Sequence, residues 1–159
     1  MKKVISLLLV FALCLSLCAC GGGKKITAKA VEEAVADCDG TLNMDASGDK
    51  VTGFTYVVED INADDLMDKD YCRTAMSNVL SGDTSKITFG QIKVSKAISA
   101  VMCVEGLFTS EKENSDVSGF VDTILGMICN GNTAEHGDWT VSVDVDQAND
   151  SITIHANSK

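Results

Sequence analysis

The sequence predicts an α+β domain: an antiparallel sheet made from two β-hairpins, with about four helices packed on one of its faces. Two segments alternate apolar and polar residues with period two, and each folds back through a cluster of turn-forming residues. Four other segments carry apolar residues at helical spacing, bounded by capping and stop signals. Alternation gives each hairpin one wet and one dry face, the habit of antiparallel sheets, and a dry face needs a second layer to cover it.

Taken in order, Thr27 can cap a helix in which Ala28, Val31, Ala34, Val35 and Cys38 recur at i, i+3, i+4 spacing, with Lys29, Glu32, Glu33 and Asp37 outside and Gly40 as the stop. Leu42 and Met44 then alternate with Asn43 and Asp45. A Ser47-Gly48-Asp49 turn leads into VTGFTYVV, which puts Phe54, Tyr56 and Val58 on one face. Asn62 opens a helix whose early Asp64, Asp65 and Asp68 complement the positive end of its dipole. Its apolar stripe is Cys72, Ala75, Met76 and Val79, and Ser81-Gly82-Asp83 ends it.

Residues 86–108 fit both periods. Ile92, Val94, Ile98, Ala100, Met102 and Val104 alternate as in a strand, while Val94, Ala97, Ile98, Val101, Val104 and Phe108 form a helical stripe with Lys96, Ser99 and Cys103 opposite. A stretch of this length exceeds the ~3–10 residues usual for a strand, and Thr88-Phe89-Gly90-Gln91 reads as a capping box; a helix is expected. Ser115 caps the next helix, with Val117, Phe120, Val121, Ile124 and Ile128 in line and Asn130-Gly131-Asn132 at its end. The last hairpin is the clearest signal. Trp139, Val141, Val143, Val145, Ile152 and Ile154 face inward, against the helix carrying Phe120 and Ile124, while Thr140, Ser142, Asp144, Asp146, Ser151, Thr153 and His155 face outward. Helix-then-hairpin occurs at both ends, 27–58 and 116–156, a weak hint of duplication with little residue identity.

The N-terminus carries an address. Met1, Lys2 and Lys3 are followed by the apolar run Val4 to Leu17, too short for the roughly 20 residues that span a bilayer. A charged start, an apolar run of this kind and a small-residue exit are the parts of a secretory signal peptide. Leu17-Cys18-Ala19-Cys20, followed by Gly21, Gly22 and Gly23, resembles the lipobox of bacterial lipoproteins, with Cys18 at the −2 position a departure from the usual pattern. Of Cys14, Cys18 and Cys20, only Cys20 has a small residue before it. The resemblance covers residues 1–23. It implies a signal peptide over 1–19 and a lipidated tether over 20–25 with Cys20 as the attachment site; the helix and hairpin patterning assigns 26–159 to a single α+β domain. The resemblance also implies a cell-membrane location on the extracytoplasmic face. The alternative is an ordinary signal peptide cut near Ala19, releasing a soluble protein. A diacylglyceryl group on Cys20 would supply at least two chains, enough to hold where one chain binds marginally.

Composition narrows the partners. Asp and Glu number 23 against 13 Lys and Arg, and losing Lys2 and Lys3 with the leader takes the formal charge from −10 to −12. Such a surface repels nucleic acid and anionic headgroups and favours solubility. A domain of this size can bury a real core, yet it is far shorter than two-lobed solute-binding lipoproteins. Outside the leader the aromatic residues are Phe54, Tyr56, Tyr71, Phe89, Phe108, Phe120 and Trp139, too few to spend several on a sugar-binding platform.

Chemistry-bearing motifs are sparse. Cys38, Cys72, Cys103 and Cys129 remain after processing, and four cysteines allow three connectivities. Cys38 and Cys72 lie on apolar stripes, where a thiol is a small hydrophobe. If neighbouring helices form antiparallel hairpins, Cys103 sits about 12 Å from Cys129 and about 9 Å from Cys72 by rise per residue, beyond the reach of a bridge; reduced, structural thiols are expected. No CxxC, GxSxG, HExxH or GxxxxGK[ST] occurs. Asp45-Ala46-Ser47-Gly48-Asp49 begins like a calcium loop, but Lys50 stands where the glycine belongs and Tyr56 where the bidentate glutamate belongs, so a hairpin turn is expected. Asp60, Asp64, Asp65, Asp68 and Asp70 read as capping and solvated carboxylates. His136 lies in a loop-like Glu135-His136-Gly137-Asp138. His155, on the wet face, lies opposite Ser142, Thr140 or Asp144 depending on register. Only Asp144 would give it an acid–base partner, and that register would turn Gln147 inward. The sequence therefore points to no catalytic, cofactor or metal residues. It points to a membrane-anchored, non-enzymatic module for a protein or envelope partner, with no nucleic-acid role. The alternative is a small hydrolase or metal-dependent enzyme using surface carboxylates and a histidine.

Overall fold

The computed structural model describes residues 26–47, 50–83, 85–109 and 117–159, without the side chains of Val117 and Ser118. The expected leader and tether, with Cys20, lie outside the described residues, as do the Ser115 cap and Gly48 and Asp49 of the first turn. In chain order the elements are α1 (Ala28–Val35), β1 (Thr41–Ser47), β2 (Lys50–Val58), α2 (Ala63–Leu66), α3 (Lys69–Ser81), α4 (Phe89–Gly106), α5 (Val117–Asn130), β3 (Ala134–His136), β4 (Trp139–Asp146) and β5 (Ser151–Ser158). The architecture is the expected α+β one: a single antiparallel sheet in the order β1-β2-β5-β4-β3, with helices on its dry face.

Both predicted hairpins form, and they join through β2 and β5, the second strand of each. Three apolar rows cross the dry face: Met44, Phe54, Ala156 and Val141; Leu42, Tyr56, Ile154 and Val143; Val58, Ile152 and Val145. A slip of one residue would bury Thr55, His155 and Ser142 instead, so the pattern pins the register. The inward set of the last hairpin shares this face, and α5, with Phe120 and Ile124 buried, packs on β4. Trp139 and Val145 are only partly covered, being the outermost members of their strand's apolar row.

The ambiguous segment is a helix. Thr88 Oγ1 accepts from the Gln91 backbone N–H, and Gln91 Oε1 accepts from the Thr88 N–H, both at 3.2 Å, completing the capping box. The expectation of a polar side through Lys96, Ser99 and Cys103 is corrected. From Val94 to Gly106 only Lys96 is not buried, because α1, α3 and α5 as well as β5 pack around α4. A helix enclosed on nearly all sides is apolar all round and loses its periodic signature. Ser99 is accommodated by donating to the Ser95 carbonyl at 2.7 Å.

The single helix expected over 62–80 is two. The Asp68 carboxylate accepts from the N–H groups of Asp70 and Tyr71 at 3.0 Å, so Asp68 starts a new helix rather than lying inside the old one. Gly40 serves a close approach after α1. Tyr56 donates its hydroxyl to the Cys38 carbonyl at 2.6 Å, and a Cβ on Gly40 would lie 2.5 Å from the Val57 carbonyl oxygen and 2.7 Å from the Tyr56 ring. Strand β3 was not expected. Gly137, at φ +62°, turns the chain so that His136 pairs with Trp139 and Ala134 with Val141.

Candidate functional site

The wet face of the sheet is a polar surface that the fold organises. Asn43, Thr55, His155 and Ser142 form one cross-strand row; Thr41, Val57, Thr153 and Asp144 a second; Asp45, Gly53, Asn157, Thr140 and Glu135 a third. Hydroxyls, amides and carboxylates thus stand at strand spacing on a pleated surface. Gly53 leaves a shallow notch, since a Cβ there would meet Asn157 Oδ1 at 3.0 Å and Asp45 Oδ2 at 3.8 Å. At one corner Glu135 accepts from Lys159 Nζ at 2.5 Å and Thr140 Oγ1 at 3.1 Å. Those two donors, Lys159 first, hold its carboxyl below the usual range.

His155 lies directly opposite Ser142, yet its Nε2 reaches Asp144 Oδ2 at 3.1 Å. The sequence reading tied an Asp144 partner to a direct pairing that would turn Gln147 inward. The contact is made diagonally instead, to the residue two places along the neighbouring strand. His155 therefore has a carboxylate partner without any change of register.

His136 overturns its loop assignment. It projects from β3 to the dry side, where its Nε2 lies 2.9 Å from Glu105 Oε2 on α4. The Phe108 ring stacks on the imidazole at 5.6 Å between centroids, Trp139 tilts against Phe108 at 5.3 Å, and Phe54 stacks on Phe108 at 6.4 Å. Glu105 is fully buried, and among the described residues its Oε1 has no hydrogen-bond partner. A buried carboxylate that orients an imidazole is one component of acid–base machinery; here it is roofed by aromatic rings. Glu105 escaped sequence reasoning because the stripes through 86–108 were drawn from their apolar residues. The signal available was a lone charge inside the apolar run VMCVEGLF.

The cysteines sort in a way that the hairpin geometry did not anticipate. Cys38, Cys72 and Cys129 are free thiols. The Cys38 thiol donates to Cys103 Sγ at 3.3 Å, bringing α4 against the end of α1. Cys72 and Cys129 both donate to the Leu66 carbonyl, at 3.4 and 3.1 Å. The expected contacts of α4 with α3 and with α5 do form, but Cys103 faces the chain after α1, and α5 also packs against α3, which brings Cys129 to Cys72. Burial pushes Cys38 and Cys72 up to about 12, and it raises Cys129 as well.

The acidic segment does what its composition suggested. Asp68 caps α3, Asp65 accepts from Asn62 Nδ2, and Asp60 pairs with Lys93 Nζ at 2.7 Å. Among the described residues no group of three or more His, Cys, Asp and Glu side chains comes together that could hold a metal ion. No helix among them is long and apolar enough to cross a membrane. Compared with protein families, curated proteins and solved structures, the chain matches none.

Proposed function

We propose that this protein is exported, lipid-anchored through Cys20, and acts as a non-enzymatic binding module that offers the wet face of its sheet to an extracytoplasmic protein or envelope partner. The observation that carries the binding role is the one-sided covering of the sheet. Helices pack on the dry face, leaving rows of Asn43, Thr55, His155, Ser142, Asp144 and Thr153 facing outward. Such a surface presents many hydrogen-bonding groups at fixed spacing, and its small side chains lose little entropy when covered. The anchor rests on Leu17-Cys18-Ala19-Cys20 and the short apolar run before it. The acidic charge disfavours nucleic acid as the partner.

Cells expressing the full chain are labelled with a clickable fatty acid and then cross-linked at the surface. Wild type is expected to carry the label and to enter a defined cross-linked complex. Cys20→Ala should remain as an unlabelled precursor. Thr55→Arg and Ser142→Arg should keep the label and lose the complex, while Glu32→Arg on the exposed side of α1 keeps both. Normal labelling of Cys20→Ala would overturn the anchor. An unchanged complex in both sheet-face variants would overturn the binding surface.

A further inference from the structure

Two thiols from separate helices meet at one backbone oxygen. Cys72, in α3, is fully buried, and Cys129, near the end of α5, is half-buried. Their sulfurs lie 3.4 and 3.1 Å from the Leu66 carbonyl, at the C-terminal end of α2, and the two side chains interact with each other. Helices α3 and α5 are in direct contact here. Two cysteines remote in sequence and carried by neighbouring helices thus aim their sulfurs at the same atom and interact with each other.

We propose that Cys72 and Cys129 are a reversible dithiol–disulfide pair that closes when the protein meets a low-molecular-weight disulfide. The half-buried Cys129 reacts first. Its thiolate attacks one sulfur of the oxidant, forming a mixed disulfide and releasing one thiol. Cys72 then loses its proton and attacks the Cys129 sulfur, forming the Cys72–Cys129 bond and expelling the second thiol. The protein gives up two electrons and two protons, and one disulfide becomes two thiols. Burial raises both protein thiols, Cys72 up to about 12, so the exchange is slow without an accessible first sulfur. Reversibility follows from the Leu66 carbonyl. In the dithiol it accepts two S–H bonds inside a residue that is fully buried. Both donors vanish on oxidation, so the closed form loses hydrogen bonds that the open form has, and the bond is easier to reduce than that of an unencumbered pair.

The chain from Cys20 onward, purified reduced, is equilibrated with oxidised glutathione, trapped with acid, unfolded and alkylated. The masses and the peptides of the product are then read. The expected product has lost two alkylation sites together, carries no glutathione, and yields one cross-linked peptide joining Cys72 to Cys129. Excess reduced glutathione should restore both sites. Cys72→Ala should stop at a single glutathione adduct on Cys129, and Cys129→Ala should leave Cys72 unmodified over the same interval; circular dichroism of each variant confirms the fold. Two independent adducts in wild type, a bridge through Cys38 or Cys103 in place of Cys72–Cys129, or a closed form that reduced glutathione does not reopen would each overturn the proposal.

Discussion

Replacing His136 by alanine tests the Glu105–His136 pair most directly. The substitution leaves the buried Glu105 carboxylate without the imidazole that lies 2.9 Å from it. Breaking a buried pair by removing one partner costs about 3–5 kcal/mol. The imidazole side chain is 18% exposed, so water can enter the gap, which places the electrostatic loss near ~3 kcal/mol. Loss of the Phe108 ring contact adds about 0.5–1.5 kcal/mol. The sum is a large part of the ~5–15 kcal/mol that holds a domain together. Glu105→Met with His136→Phe removes both polar groups while keeping the bulk, and it should fall within about 1 kcal/mol of wild type, since replacing both partners of a buried polar pair by apolar groups is often neutral or better. Urea unfolding followed by circular dichroism, with Cm compared at constant m, of Glu105→Met, His136→Phe and their double variant gives the three differences of the cycle. The coupling energy should exceed ~2 kcal/mol. Additive single losses, with coupling below ~0.5 kcal/mol, would mean that the two side chains merely fill space, and the account of the pair would fail.

Two further outcomes are expected. Trp139→Ala should cost about 3 kcal/mol, the low end for a tryptophan because the ring is only partly covered. Thr140→Ala on the wet face should cost less than ~0.5 kcal/mol, and equal thermal midpoints for the two would refute the face assignment. Burial raises the folded-state thiols of Cys38 and Cys72 to about 12. Their contribution is therefore complete below the unfolded thiol range of about 8.5 and fades as the pH climbs toward the folded value. The stability gap between wild type and Cys72→Ala should shrink between about pH 8 and pH 10; a constant gap in urea midpoints would show that the thiol titrates alike in both states.

Local signals were legible because they are backbone rules written in side chains. The Thr88–Gln91 box, the Gly82 stop and the alternation of 139–145 each act within a few residues, and each appears where expected. What escaped depends on tertiary neighbours. Asp68 reads equally well as a dipole partner or a cap, and only the packing of α3 selects the second. The all-round burial of α4 erased the period that would have oriented it. Strand β3 is three residues long, and its only mark was Gly137-Asp138 between His136 and Trp139, a two-residue hairpin signal overshadowed by the polar loop composition. The Glu105–His136 and Cys72–Cys129 encounters cross 31 and 57 positions of sequence, and no periodicity reports such a meeting.

The place of β5 has a consequence for the order of events in making the protein. The strand supplied by Ser151–Ser158 lies between β2 and β4, so both hairpins depend on it for their junction. A chain emerging from the ribosome, or threading through a narrow translocation channel, cannot finish this sheet until Ser158 is free. Before then, β2 presents one unsatisfied edge along Gly53–Val58, and the apolar rows have no continuation. Closure across such a distance is slow relative to local pairing. The topology thus leaves the two hairpins unjoined until β5 is free, and β5 then completes the sheet in one step.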